Sequence, residues 1–416
     1  MKRVILHSDL NNFYASVECL QQPSLRNKPV AVAGDREARH GIVLAKNEAA
    51  KRCGVKTGHP LWMAKQKCKD IIFIPPHYDK YMKFSKAVWE IYRQYTDQVE
   101  SFGVDECWLD VSGSTALFGS GQDIANAIRR RIKQELGLTV SVGVSYNKIF
   151  AKLGSDLKKP DATTVIRQDN FKEIVWPLSV GELLYVGAST CNRLRRCGIE
   201  TIGALAKTDP VFLESLLGKH GRTLWLFANG LDTSPVSNIG AKSMIKSISN
   251  STTTNRDLLS DQDIRIVLYM LCESVSARMR EYGFICKTVQ VGIRDNSLHW
   301  IERQGALTIP NRTTASLFQK AYNLVKTNQT GRPIRSLSVR ACDLQLPQTE
   351  QMSFLSDISA VQKQEQLEET VDNLRRRYGQ SSLRRGIMLL DTSLSKFDLR
   401  QNPISIAGAI FTEEFS

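Results

Sequence analysis

At 416 residues, 42% of them hydrophobic and 24% charged, the chain has enough apolar material for roughly two to four domains, each with its own core, which excludes a disordered or low-complexity protein. No apolar run is long enough to span a bilayer, and the opening Met-Lys-Arg-Val-Ile-Leu-His-Ser-Asp meets an acid after a short apolar stretch, so a cytoplasmic protein without membrane segments is expected. A formal net charge of +14 calls for a polyanionic partner, nucleic acid first, with DNA and RNA equally open. The 9 cysteines are scattered without a Cys-x-x-Cys pair, which points to reduced thiols and away from a disulfide frame or zinc site.

Residues 4–9, Val-Ile-Leu-His-Ser-Asp, read as a short buried strand that delivers Asp9 at its end. A helix follows, with Asn11 or Asn12 able to cap it; Phe13, Val17 and Leu20 form one face, while Tyr14 and Glu18 share the neighbouring stripe. Tyr14 either looks into a cleft bordered by Asp9 or serves as a core aromatic. Lys28–Gly34 and Gly41–Ala45 read as strands, and a basic helix over 47–53 ends at Gly54. Lys46, close to that helix start, is either a phosphate contact or a solvated charge.

Aromatic and aliphatic residues at helical spacing mark an amphipathic helix from Asp79 to about Tyr95, leading into Ser101–Ser112. From Cys107 this stretch alternates like a half-buried strand, and Gly103 supplies a turn before it. The adjacent acids Asp105 and Glu106 interrupt that pattern. Neighbouring side chains in a regular strand point to opposite faces, so the two act together only at the turn, as a hard oxygen platform for a divalent metal or as a plain solvated turn. A helix over 122–136 and a strand over 139–145 follow, giving a mixed or antiparallel sheet with helices on one face. Lys148 and Lys152 then lie one helical turn apart, with Lys159 returning near the same azimuth at about 3.6 residues per turn. This basic rail is either a solvated face or a triphosphate contact.

Residues 181–206 read as short helices with turns at Gly187 and Gly198, a helix-hairpin-helix in which the amides of Gly187, Ala188, Ser189 and Thr190 approach a phosphate independently of base sequence. A polar linker is expected over 231–251. The βαββαβ order beyond it predicts a four-stranded sheet with two helices on one face, made basic by residues that include Arg294, Arg335 and Arg340. In the hydrophilic tail, Gln351-Met352-Ser353-Phe354-Leu355 is an isolated apolar anchor, suited to a tethering peptide or a local packing contact.

Four separated segments, Asp9 with Asn-Asn-Phe-Tyr-Ala-Ser-Val-Glu, Gly-Val-Lys-Thr-Gly-His-Pro at 54–60, Val-Asp-Glu-Cys-Trp-Leu-Asp at 104–110 and Val-Gly-Val-Ser-Tyr-Asn-Lys-Ile-Phe-Ala-Lys at 142–152, stand in the order and spacing of the Y-family DNA polymerases. The chain resembles the DinB and UmuC type of bacterial translesion enzymes over about residues 1–345. The resemblance implies a multidomain α+β right hand: palm at 1–25 and 75–170, fingers at 26–74, thumb at 171–235, little finger at 236–345 and a tail at 346–416. It implies low-fidelity, template-directed addition of deoxynucleotides to a primer 3′ end during DNA damage tolerance, by a monomer acting on primer–template DNA and dNTP.

The same resemblance implies two Mg2+ ions on Asp9, Asp105, Glu106 and the Leu10 carbonyl, and makes Tyr14 a steric gate against ribose. Phe13, Lys46, Lys51 and Lys159 become nucleotide contacts, Ile42 and Leu44 roof the nascent base pair, and the peptide 351–355 resembles a sliding-clamp anchor with Phe354 and Leu355 in reverse order. Ala45 and Glu48 replace a Thr and a Tyr common in DinB-type members; Asn11 and Lys46 are nearer the UmuC type. The competing expectations are a noncatalytic DNA-binding scaffold of the same fold, and another two-metal palm enzyme such as a nucleotide cyclase.

Overall fold

The computed structural model describes residues 3–35, 39, 41–241, 245–329, 331–347 and 358–395. The chain divides into two units, one built on Met1–Ala33 and Val43–Lys242, the other on Gly34–Ile42 and Ser243–Ile406. Among the described residues no helix is long and apolar enough to cross a membrane.

The first unit opens with β1 (Ile5–Leu10) and α1 (Phe13–Gln21), then passes through β2 (Val30–Ala33), β3 (Val43–Lys46), α2 (Glu48–Arg52), α3 (Leu61–Lys67) and β4 (Ile72–Ile74). It continues with α4 (Tyr78–Arg93), β5 (Val99–Ser101), β6 (Glu106–Asp110), α5 (Thr115–Phe118), α6 (Gly121–Leu136), β7 (Val140–Ser145), α7 (Lys148–Leu157) and β8 (Thr163–Val165). Five strands form a sheet in the order β5-β6-β1-β7-β8, antiparallel except for the β7–β8 edge. A separate small sheet, β3-β2-β4, packs with α2 and α3 around Ala31, Val43, Ala50 and Ala64.

Every residue of β1 is buried, because the central strand is covered on both sides. One face meets α1, α4 and α6 through Leu6, Leu109, Val140, Val142 and Ile128. The other meets α7, where Ile5, Trp108 and Ala151 pack together. The expectation of helices on one face is therefore corrected, and with it the half-buried reading of β6. Cys107, Trp108 and Leu109 are all buried, and the Trp108 indole N–H donates to the Lys148 carbonyl at 3.0 Å. Gly143 is what lets α7 lie so close to β7: a Cβ there would sit 1.9 Å from the Ala151 carbonyl oxygen.

The two asparagines before α1 do not cap it. Asn12 holds the cap position with φ 51° but donates to Glu48 instead, while Asn11 donates to Ser141 and accepts the Asp161 N–H. Long-range bonds have taken both side chains from the helix end.

Next come α8 (Phe171–Val175), α9 (Ala188–Arg196), α10 (Ile202–Lys207), α11 (Pro210–Leu217) and α12 (Lys219–Ala228), which share a core with Phe150. The polar stretch expected as a linker is bonded down over 236–239: Val236 is buried, Ser237 donates to Glu100, and the Ile239 N–H donates to the Asp97 carbonyl.

The second unit contains β9 (Ser247–Leu258), α13 (Asp261–Glu281), β10 (Ile285–Asp295), β11 (Trp300–Asn311), α14 (Thr314–Asn328), β12 (Ile334–Gln345), α15 (Ile358–Tyr378) and α16 (Thr392–Ser395). Its antiparallel sheet runs β11-β10-β12-β9, with α13 and α14 over the core face. β9 begins inside the expected linker and extends well past it, since Thr252 and Thr254 fill inward positions beside Ile248 and Leu258. The tail helix α15 belongs to this unit. Buried Arg280 donates to Glu368 at 2.5 Å and Asp372 at 2.7 Å, and Glu368 also accepts the Thr314 N–H at the start of α14.

Candidate active site

Pairing of β1 with β6 sets Asp9 opposite Glu106, and the Leu10 N–H donates to the Asp105 carbonyl at 3.0 Å. Three carboxylates from positions 9, 105 and 106 thus meet at one end of the sheet. The turn between β5 and β6 that carries two of them is fixed from below, where the Ser85 hydroxyl donates to the Val104 carbonyl and the Phe102 N–H to Glu106. Asp110, farther along β6, accepts the Ser112 N–H and hydroxyl and is a turn-holding residue.

Two lysines lie among these acids. Lys152 Nζ is 3.2 Å from Asp9, 2.9 Å from Glu106 and 3.4 Å from Asp156; Lys159 Nζ is 2.6 Å from Asp9 and 2.7 Å from Asp156. Burial works against both ammonium groups, but Asp9 leads the acids that hold their pKa values above the ordinary lysine range. Asp105 makes no such pair: burial, then the charges of Asp9 and Glu106, push its carboxyl up to about 7. The expected rail is split, because Lys148 turns away to Glu100 at 2.5 Å and lies over the Trp108 ring. Lys152, by contrast, reaches the acids; its helical spacing from Lys148 was the only local signal.

His7 is wholly buried beneath the acids, a place the sequence did not mark as part of the site. The Ser155 hydroxyl donates to the Lys152 carbonyl at 2.7 Å and lies 2.9 Å from His7 Nδ1, while His7 Nε2 lies 3.4 Å from Glu106 Oε2. Burial first, and then Lys152, lower the His7 pKa to about 3, so the ring is neutral. Neither His7 Nε2 nor Glu106 Oε2 has a well-directed hydrogen bond.

Among the described residues no group of three His, Cys, Asp or Glu side chains is gathered closely enough to hold a metal ion. The donor chemistry nevertheless fits a hard divalent cation: every acid is an oxygen donor, Glu106 keeps an acceptor without a directed bond, and the lysine ammonium groups stand on the acids where a cation's charge would serve.

Tyr14 is half-buried at the start of α1, its ring stacked on Tyr81 at 4.2 Å and edge-on to Tyr78 at 6.0 Å. Burial and then the nearby Asp105 charge keep its hydroxyl protonated. Phe13 is buried in the core, leaving its backbone as what it can offer a nucleotide. On the small sheet, Lys46 donates to Thr57 at 3.2 Å; burial first, and then Lys51 and Lys159, lower its pKa, while Glu48 opposes them. Lys51 is loosely paired with Glu48 at 3.6 Å. Ile42 is exposed.

At the start of α9, Gly187 has φ −75° and no side chain caps the helix, so Ala188, Ser189 and Thr190 present the first amides there. The left-handed residue of this turn is Tyr185, with φ 69°, an exposed ring and its carbonyl bonded by His220. In the second unit, Arg294 pairs across from Ser336 and Arg340 from Gln290, which puts both arginines on the face away from Val289, Val291 and Ile293. Arg335 sits at a register shift beside buried Ile334. Residues 351–355 lie outside the described residues.

The sequence pattern of the impB/mucB/samB family matches residues 8–156, and that of the family's C-terminal domain matches residues 245–354. A DNA polymerase IV of Acetivibrio thermocellus is 55% identical over 95% of this chain and 100% of its own length. The DNA polymerase IV of Clostridium acetobutylicum is 35% identical over 94% and 99%, and DNA polymerase IV 1 of Bacillus subtilis 35% over 93% and 93%. Among solved structures, a "Y-family DNA polymerase chimera Dbh-Dpo4(243-245)-Dbh" is similar in fold, with a TM-score of 0.73, 22% identity, and coverage of 83% of this chain and 100% of that one.

Proposed function

Because the chain belongs to the impB/mucB/samB family, the Y-family DNA polymerases of the polymerase IV type, we propose that its acid cluster carries out template-directed addition of deoxynucleotides to a primer 3′ end in translesion synthesis. The observation that carries this reading is the meeting of Asp9, Asp105 and Glu106 at one sheet end with Lys152 and Lys159 among them. A noncatalytic scaffold leaves that cluster, and the burial cost of Asp105, without a purpose.

The family implies divalent metal. Asp9, Asp105, Glu106 and the Leu10 carbonyl are the residues that would hold two magnesium ions. When bound, these ions supply activation of the primer hydroxyl and charge stabilisation on the triphosphate. The protein's own part is positional. Lys159, whose side chain is 28% exposed against 13% for Lys152, releases Asp9 and takes a phosphate oxygen, while Lys152 stays between Asp9 and Glu106. Lys46 and Lys51 add positive charge, and the Phe13 backbone lies beside the sugar. Tyr14 closes the floor of the site where a ribose 2′-hydroxyl would project, which selects dNTP.

On this reading the five-stranded sheet is a palm, 26–74 the fingers, 171–235 a thumb whose α9 amides hold DNA backbone, and 236–345 a little finger whose Arg294, Arg335 and Arg340 meet phosphates. The enzyme works as a monomer in the cytoplasm, and Gln351–Leu355 tethers it to a sliding clamp. Primer extension on undamaged and lesion-bearing templates tests the proposal. Wild type should extend both with magnesium and Asp105→Ala neither; extension that survives Asp105→Ala would reject the acid site.

A further inference from the structure

Glu18 is a fully buried carboxylate one helical turn after Tyr14 on α1. Taking such a charge out of water costs several kcal/mol unless partners offset it. Its Oε1 accepts the Tyr81 hydroxyl at 2.7 Å and His77 Nδ1 at 2.9 Å; Lys80 is 3.9 Å from its other oxygen. None of these groups touches the acid cluster, so the reaction itself does not account for the carboxylate.

Tyr81 does account for it. This residue of α4 is 1% exposed, and its ring lies flat against Tyr14, with centroids 4.2 Å apart and planes 12° apart. Tyr78 meets both rings edge-on at 6.0 Å, and Phe13 lies beside the pair, 5.6 Å from Tyr14 and 6.2 Å from Tyr81. A stacked pair slides easily, since offset geometries differ little in energy. The hydroxyl bond to Glu18 stops that slide, because α1 then grips Tyr81 at its oxygen and covers its ring with Tyr14 at the same time.

A gate that excludes one hydroxyl must resist displacement of about an ångström, and a lone ring hinged on its own Cβ does not. We propose that Tyr81, fixed by Glu18, is the backstop that keeps Tyr14 from yielding to a 2′-hydroxyl, which makes both positioning residues for sugar selection. This rests on reading Tyr14 as the gate.

The test is single-nucleotide insertion with matched dNTP and rNTP, comparing the ratio of their kcat/KM values. Tyr81→Leu should lower the ratio about tenfold through faster rNTP insertion, with dNTP insertion within about threefold of wild type. Tyr81→Phe, which keeps the stack but loses the bond to Glu18 and threatens folding least, should lower it about threefold. Glu18→Gln retains an acceptor for Tyr81 and should restore most of the selectivity lost in Glu18→Leu. Tyr14→Ala separates the two readings. A collapsed ratio in Tyr14→Ala with a wild-type ratio in both Tyr81 variants overturns the backstop alone. Equal loss of dNTP and rNTP insertion in Tyr81→Leu overturns it as well, by showing a merely structural role. A ratio unmoved by Tyr14→Ala removes the gate itself.

Discussion

Asp105, an acid of the proposed site, is held where its charge works against the fold. Its carboxyl is raised to about 7, so between about pH 4 and 7 the folded protein binds a proton that the unfolded chain has released, and stability falls as pH rises through that window. Asp105→Asn removes this titration. In metal-free buffer the variant should melt about 2–5 °C above wild type at pH 8, match it near pH 4, and extend no primer; thermal melts across pH would check this. The pair Asp105–Glu106 stands out in the sequence because it breaks a strand alternation beside a glycine turn, but only the family resemblance gives it a metal-binding role. His7, Ser155, Glu18 and Tyr81 do not stand out. Each looks ordinary in its own element and takes its meaning from partners 148 or 63 positions away.

At the scale of elements, periodicity placed most of the long helices and strands but not the short α3, β4, α5, β8 and α8, nor α11, α12 and α16. The linker expected over 231–251 overlaps the start of β9, which inward Thr252 and Thr254 carry well past it, and a tryptophan covered by α7 makes β6 a strand buried on both faces. The approach of α7 to β7 depends on Gly143, so Gly143→Ala should destabilise the first unit by about 3 kcal/mol or more, seen as a large fall in its melting temperature or loss of soluble protein. The turn before α9 offers the opposite case. Tyr185 holds a left-handed conformation that favours glycine, so Tyr185→Gly should stabilise by about 0.5–1 kcal/mol, and an unchanged or lower melting temperature would show that packing of the ring outweighs the strain.

For the molecule as a whole, the boundary between folded domain and tail moved most. A charged, glutamine-rich sequence reads as an appendage, yet α15 supplies Glu368 and Asp372 to Arg280 and Arg375 to Glu273, which Arg385, beyond the helix, also pairs with. Removing residues 348–416 strands Arg280 and leaves the Thr314 N–H without its Glu368 acceptor, and should cost the second unit about 3–5 kcal/mol; calorimetry should then show its transition moved down or lost, with that of the first unit unchanged. The lysines among the clustered acids bear on a different stage of the protein's life. An acidic pocket that brings its own counter-ions should reach its folded form without waiting for an ion, unlike domains that collapse only around their metal. A chelator should silence the enzyme while lowering its melting temperature by no more than about 2 °C. Starved of divalent metal, such a protein would stand idle but folded, with nothing to refold when the ion returns.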